Sequence, residues 1–308
     1  MRVVGFAAFG DPSVLSVTDR PLPEPGAGQV RVRVAAAAIN PADLAARAGS
    51  FGPMLPPGPY YVTGWDVAGT VHAAGPGVTS VAVGDSVIAM SEWLATRNGT
   101  HAEYVVLDAA EVALAPAGIT PALAATIPAS ALTADQALDL LGLVDGQTLA
   151  VTGAGGSVGG FAVELARHRG LAVLGIGGAA DERFITRTGA VFLARSADPA
   201  GALLAAAPGG VDGLLDAAVI GPPALAAVAD GGVFVSMIPP EAPEPERGIR
   251  VVGLQVRSDG ARLRWLASLA ERGHITPRLA ASFSFDQAAA AHELAGTSGV
   301  RGRVVLVP

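Results

Sequence analysis

The stretch LAVTGAGGSVGGFAVELARHRG, residues 149–170, sets six glycines between an apolar run and a periodic one. Residues 149–152 read as an apolar strand, and 157–169 as a helix with Val158, Phe161, Ala162, Leu165 and Ala166 at helical spacing. The glycines therefore stand at a strand-to-helix turn. Having no Cβ, Gly153 suits a tight bend, Gly156 a close approach of backbone N–H groups to a pyrophosphate, and Gly159 the close packing of helix on strand. The N-terminus of such a helix adds a partial positive charge aimed at the same anion. Gly153, Gly156 and Gly159 follow a GxxGxxG spacing rather than GxGxxG, and a glycine-rich turn with no ligand would look the same. Its weight comes from its place at the first turn of a βαβ series.

That series runs on downstream. Apolar runs such as "LAVLGIGG", "AVFLA", "DGLLDAA", "VFVSMI" and "IRVVGLQV" alternate with the helical stretches "ADERFITRTG" and "PPALAAVADGG". The order predicts an α/β domain with a parallel sheet and helices on both faces. At the tip of the second strand, an acid would bind a ribose 2′-hydroxyl and a cation a 2′-phosphate. The chain has the small, neutral Gly177 and Gly178 there, with Asp181 a poor neighbour for a phosphate and Arg183 a good one. Both charged residues read equally well as the solvated first turn of a helix, so these residues leave the 2′ group open.

Upstream, residues 1–116 are short and β-like, alternating in "VRVRVAAAAIN" and broken by "PLPEPGAGQ", "AGPGVTSVAVGD" and "RNGT". Helical spacing begins near Ile119, and "SALTADQALDLLG" ends at Gly142, a C-cap glycine. The tail "RLAASFSF…RGRVVLVP" returns to strand, helix and strand and is expected to rejoin the first half. The boundaries drawn are a discontinuous β-rich domain over 1–117 and 274–308 and a nucleotide-binding domain over 118–273. A length of 308 residues suits two cores. With 51% apolar and 15% charged residues the chain is globular rather than disordered.

Composition also closes off several chemistries. Zero cysteines leave no disulfide, thiolate ligand or cysteine nucleophile. A net charge of −7 lacks the basic excess that nucleic acid requires. The uncharged run 112–134 is interrupted by Pro116, Pro121 and Pro128, which argues against a membrane span, and MRVVGFAAFGD lacks the features of a secretory signal. A cytoplasmic address is expected by default.

Several segments together resemble the medium-chain dehydrogenase/reductase superfamily, in its zinc-free quinone oxidoreductase and enoyl reductase branch. They are "AAAAINPADLAARAG", "VTGWDVAGTVHAAGPGVTSVAVGDSVIAM", "GTHAEYVVLDAAEVALAP", "IPASALTADQALDLLGLVDGQTLAVTGAGGSVGGFAVELAR", "GVDGLLDAA" and "SGVRGRVVLV". The resemblance implies a GroES-like β-barrel domain plus a Rossmann doubly wound parallel-sheet domain, with the nicotinamide in the cleft between them. It implies that Asn40 and Thr133 lie near the nicotinamide ribose and carboxamide, that Ser157, Val158 and Gly159 hold the pyrophosphate, and that 236–239, including Met237, and Leu254 to Val256 flank the ring. Gly178 and Arg183 would lie toward the adenosine ribose. NADPH is the coenzyme implied, with NADH not excluded. For Asn40, a cap of the helix "PADLAARAG" with Pro41 at its first position is an equal reading, and both roles are compatible.

The chain also departs from the family. Zinc-dependent members carry Cys-His and Gly-His-Glu, where this chain has Asn40-Pro41 and Gly64-Trp65-Asp66; with Asp66 as the one remaining donor there, no zinc is expected. Trp65 would fill the metal's space or belong to the core. Ala45 and Phe51 replace the tyrosines that line many quinone-reductase clefts, so Tyr61 or Tyr60 would have to take over that role; ordinary packing is the competing reading. Gly178 and Asp181 stand where members that bind a 2′-phosphate often show Ser and Lys. His101 is weighed between proton delivery and packing, His72 reads as solvent-facing, and His168, His274 and His292 fall on helices or at their ends. Ser157 is not in a GxSxG elbow.

The function expected is zinc-independent hydride transfer from NAD(P)H to a small apolar quinone or enone. The alternative is a non-redox cyclase, isomerase or binding protein on the same fold. A homodimer through edge strands such as "VFVSMI" or "IRVVGLQV" is expected.

Overall fold

The computed structural model describes residues 1–55 and 58–308. Its strands, in chain order, are β1 (Arg2–Phe6), β2 (Ser16–Asp19), β3 (Gln29–Ala38), β4 (Tyr61–Val62), β5 (Asp66–Ala74), β6 (Ser86–Met90), β7 (Tyr104–Asp108) and β8 (Val112–Leu114). There follow β9 (Thr148–Thr152), β10 (Ala172–Gly177), β11 (Val191–Ala194), β12 (Val211–Asp216), β13 (Val228–Ser236), β14 (Arg250–Gly253), β15 (Leu279–Ser284) and β16 (Arg303–Val307). The chain divides into two compact units. One holds Met1–Leu132, Arg257–Gly273 and Pro277–Pro308, the other Thr133–Val256 and His274–Thr276.

Two helices lie at the seams between these units. The helix Pro128–Leu141 runs without a break through the first seam. The helix Gly260–Glu271 is counted with the first unit, because a Cβ on Gly260 would stand 2.4 Å from the Ala110 carbonyl and 2.8 Å from that of Val112.

The first unit is built around β3, which pairs antiparallel with β5, β7 and β16. Along "VRVRV" the valines Val30, Val32 and Val34 are buried with Val67, Val71, Val87, Val105 and Leu107, as the alternation predicts for a strand facing a core. Arg31 also turns inward, and its guanidinium donates to His72 Nδ1 at 3.2 Å and to the Pro23 carbonyl at 2.9 Å. His72 itself is exposed, as the sequence implied.

The second unit is a six-stranded sheet in the order β11-β10-β9-β12-β13-β14, every neighbouring pair parallel. Numbered from β9, this is the 3-2-1-4-5-6 order of the doubly wound fold. Two sequence readings are corrected here. In "PPALAAVADGG" only Pro222–Leu225 is helical, and "VADGG" belongs to β13, where Val228 is buried in the sheet core. "VFVSMI" is not an edge, since β13 is hydrogen-bonded to both β12 and β14; the edges are β11 and β14.

Ala150, Leu174, Ile176, Leu214 and Phe234 from the strands meet Leu203 and Leu225 from the crossing helices to make the core of this unit. Among the described residues no helix is long and apolar enough to cross a membrane. Phe234 has no exposed surface. Phe234→Ala is therefore expected to destabilise the chain by about 3–5 kcal/mol, the usual cost of emptying a buried aromatic site, seen as a lower urea midpoint at unchanged slope.

Candidate active site

In a parallel sheet all strands point the same way, so the C-terminal ends of β9, β10, β12, β13 and β14 lie along one edge. Strand order reverses between β9 and β12, and ligands of doubly wound sheets bind outside the carboxyl ends at that switch. The glycine turn sits there. Gly153 has φ +61, and a Cβ on it would come within 3.2 Å of Ala218. Gly156 is the N-cap of the helix Ser157–His168, and its N–H donates to the Gly153 carbonyl at 2.8 Å. A Cβ on Gly159 would stand 2.2 Å from the Gly153 carbonyl, so helix and strand approach more closely there than any side chain allows. Gly156 is exposed, and Ser157 and Val158 half-buried. A tight turn, a close helix and reachable amides at a helix N-terminus fit the diphosphate of a dinucleotide.

Buried Asp216, at the end of β12, steadies the neighbouring loop. Its carboxylate accepts from Thr152 Oγ1 at 2.6 Å and from the N–H groups of Ile220 and Gly221 at 3.0 and 2.7 Å, while Thr152 Oγ1 accepts from Ala218 N–H at 2.9 Å. Nothing in the sequence pattern had singled out Thr152 or Asp216. Met237 follows the last residue of β13 and Leu254 the last of β14, and the Leu254 N–H donates to the Ser236 carbonyl at 2.9 Å. Leu254 is buried, and Met237 and Val256 half-buried. Gly178 directly follows β10, and Arg183 is exposed on the helix Glu182–Arg187. Asp181 is not in a solvated turn: it is 3% exposed, and its carboxylate accepts the Gly178 N–H at 2.9 Å. Buried Thr133 opens this unit.

In the first unit the second group of candidates forms a buried polar network. Asn40 is the N-cap of the helix Pro41–Ala48 with Pro41 at N1, and Asp43 accepts its backbone N–H at 2.8 Å. Its Nδ2 donates to Asp66 Oδ2 at 2.7 Å, and the other oxygen of Asp66 accepts the Ala129 N–H at 2.6 Å. The second Asp43 oxygen accepts the Gly64 N–H at 2.8 Å, and Arg303 donates to Ser130 Oγ at 2.7 and 3.0 Å. Burial pushes the Asp43 carboxyl up to about 7 and that of Asp66 up to about 6, with the Arg303 guanidinium opposing both. Gly64 has φ +111, and a Cβ there would strike Thr100 Oγ1 at 2.4 Å. At these positions a zinc ion would meet an amide and a carboxylate already bonded to one another, a donor set that does not fit a tetrahedral site.

The aromatic candidates are placed by packing. Tyr61 stacks on Phe9 at 5.9 Å and leans on Phe6 at 5.5 Å, and its hydroxyl accepts the Gly58 N–H at 3.1 Å. Trp65 meets Trp93 edge to face at 6.3 Å. His101 is fully buried. A carbonyl can only accept, so its Nε2 donates to the Ala38 carbonyl at 3.4 Å and Nδ1 takes the Thr63 hydroxyl at 3.2 Å. Its ring faces His292 at 6.1 Å, a neighbour that helix position alone did not reveal.

A doubly wound domain with an anion-ready glycine turn, in one chain with a β-rich domain, is an architecture of dehydrogenases and reductases. Residues 26–117 match the alcohol dehydrogenase GroES-like domain and residues 180–306 the zinc-binding dehydrogenase family. The chain is 30% identical to an NADPH-dependent alkenal/one oxidoreductase of Arabidopsis thaliana over 100% of its own length and 80% of that protein. It is similar to the solved quinone oxidoreductase of Coxiella burnetii, with 26% identity, TM-score 0.86 and coverage of 100% and 99% of the two chains. It is also similar to a solved NAD-dependent alcohol dehydrogenase, with 32% identity, TM-score 0.86 and full coverage of both chains. The chain belongs to the medium-chain dehydrogenase/reductase superfamily, in its quinone oxidoreductase branch, and is an oxidoreductase.

The two buried imidazoles give this unit a pH signature. Burial holds His101 down to about 4 and His292 to about 3, below the 6.5 of a free ring. A depressed imidazole stabilises the fold above the unfolded value and loses that contribution as pH falls toward the folded one. The window runs from 6.5 down to about 3. His292→Leu, which also removes two buried ring nitrogens without partners, is expected to lose less melting temperature than the parent between about pH 7 and about pH 5. Matched thermal melts check this, and an unchanged pH dependence would count against it.

Proposed function

We propose that this chain is a zinc-independent reductase that moves hydride from a reduced nicotinamide dinucleotide to a small apolar quinone or α,β-unsaturated carbonyl compound. The glycine turn at the switch point of a 3-2-1-4-5-6 sheet carries the reading. Kinship with alkenal/one and quinone oxidoreductases supports the acceptor class, and the alkenal relative takes NADPH by name. When bound, the coenzyme supplies the hydride, and the protein supplies position and electrostatics.

In this reading the N–H groups around Gly153, Gly156, Ser157, Val158 and Gly159 take the diphosphate, and Gly178 and Arg183 lie on the adenosine side. Met237, Leu254 and Val256 give the nicotinamide ring an apolar bed, and the Thr133 hydroxyl serves its carboxamide. Asn40 serves the nicotinamide ribose, its amide held in place by the hydrogen bond that Nδ2 donates to Asp66. With the coenzyme held by these residues, hydride would be delivered to the β-carbon of the acceptor, its π electrons would pass to the carbonyl oxygen, and solvent would supply the proton at the α-carbon. The stacked ring of Tyr61 supports packing rather than proton delivery.

Purified protein mixed with NADH or NADPH and a panel of quinones and enones is expected to oxidise coenzyme with at least one acceptor, followed as loss of reduced-nicotinamide absorbance. No oxidation of either coenzyme by any acceptor overturns the proposal. Thr133→Val, which keeps the shape and deletes the hydroxyl, is expected to lower kcat/KM by about tenfold, the worth of one hydrogen bond in the transition state.

A further inference from the structure

The glycine cluster contains a residue that the diphosphate does not explain. Gly155 is buried, so its place is not to expose an amide. A Cβ on it would stand 2.0 Å from Asp181 Cγ and 2.1 and 2.3 Å from the two carboxylate oxygens. A Cβ on Gly177, the last residue of β10, would stand 3.2 Å from Asp181 Oδ2, which already accepts the Gly178 N–H at 2.9 Å. The turn and the strand end are also tied directly, Ala154 N–H donating to the Ile176 carbonyl at 2.9 Å. Asp181 therefore fills the corner between the first glycine turn and the tip of the second strand, in space that Gly155 and Gly177 leave free. Any side chain at 155 would expel the carboxylate.

In a doubly wound dinucleotide site this corner faces the adenosine ribose. An acid there accepts hydrogen bonds from ribose hydroxyls, and a 2′-phosphate needs a cation or hydroxyl instead. The acid usually comes from the strand end; here the strand ends in glycine, and the carboxylate reaches back from the following turn. Two cations stand nearby on the outside, Arg183 and Arg195, both exposed, and Arg195 is linked to the corner through its N–H to the Gly177 carbonyl at 2.8 Å. A charge held at 3% exposure is poorly screened, whereas exposed guanidinium groups are screened by water and salt.

We infer that Asp181 makes the ribose corner selective for the nicotinamide dinucleotide that lacks a 2′-phosphate, so that the enzyme takes NADH in preference to NADPH. This rests on the reductase reading of the glycine turn. It runs against the coenzyme named for the alkenal relative, because the negative charge of Asp181 opposes a phosphate dianion and leaves an uncharged ribose hydroxyl unopposed.

Calorimetric titration of the full chain with NADH and NADPH, and with 5′-AMP and adenosine 2′,5′-bisphosphate, tests it. NADH and 5′-AMP are expected to bind at least about tenfold more tightly than their 2′-phosphorylated counterparts. Asp181→Asn keeps an acceptor for the Gly178 N–H and removes the charge; it is expected to shift the NADH-to-NADPH affinity ratio about tenfold toward NADPH, mainly by tightening NADPH. Equal or tighter binding of the phosphorylated ligands by the parent, or an unchanged ratio in a folded Asp181→Asn, overturns the inference and leaves the reductase reading intact. Binding of neither dinucleotide by the parent overturns both. The nucleotide pair on the parent protein decides the question if the variant does not fold.

Discussion

The second unit depends on one close approach. The Gly159 backbone lies against the Gly153 carbonyl at a separation that leaves no room for a Cβ, so the helix Ser157–His168 can spring directly from the end of the central strand. From that contact follow the exposed N-cap position of Gly156 and a helix dipole aimed at the switch point. The Thr152–Asp216 hydrogen bond holds the facing loop in register, with Val219 at φ +54 and Gly221 at φ +71 inside it. A carboxylate bonded to a hydroxyl and two amides can sustain such a backbone where a solvated loop would relax.

The first unit treats buried charge differently. Asn40 donates to both Asp43 and Asp66, and these two carboxylates accept the amides of Gly64 and Ala129 respectively. Two carboxyl groups with no exposed surface would be costly if either lost its partners. Their raised proton affinity is the trace of that cost, since burial disfavours the charged form more than the hydrogen bonds to each carboxylate and the Arg303 guanidinium favour it. The network is thus a polar core that holds the Asn40 amide in one orientation.

Much of this was legible in one dimension because the signals are local. The periodicity of 157–169, the βαβ alternation and the glycine spacing each depend on neighbours a few residues apart, and the parallel sheet and glycine turn follow from them. The assignment of "VADGG" to a helix failed because β13 is stabilised by pairing with β12 and β14, partners that local propensity does not report. "VFVSMI" could not be recognised as interior for the same reason, since strand order is a long-range property. The inward turn of His292 toward His101, across 191 residues of sequence, was equally out of reach.

By itself, the sequence determined the class of chain: two α/β and β-rich units, no thiolate chemistry, a glycine turn able to receive a diphosphate, and amide and carboxylate residues where metal donors would stand. These depend on residue identity and short spacing, which folding does not alter. Only the tertiary structure decided what the charged residues do. Asp181 reads equally as a solvated helix start or a neighbour of the ribose until β10 and the glycine turn enclose its carboxylate, and Asn40, which does cap its helix, gains a side-chain partner only when β5 brings Asp66 to it. The physical reason is that a charge takes its meaning from the dielectric and the partners around it, and both are assembled from segments far apart in the chain.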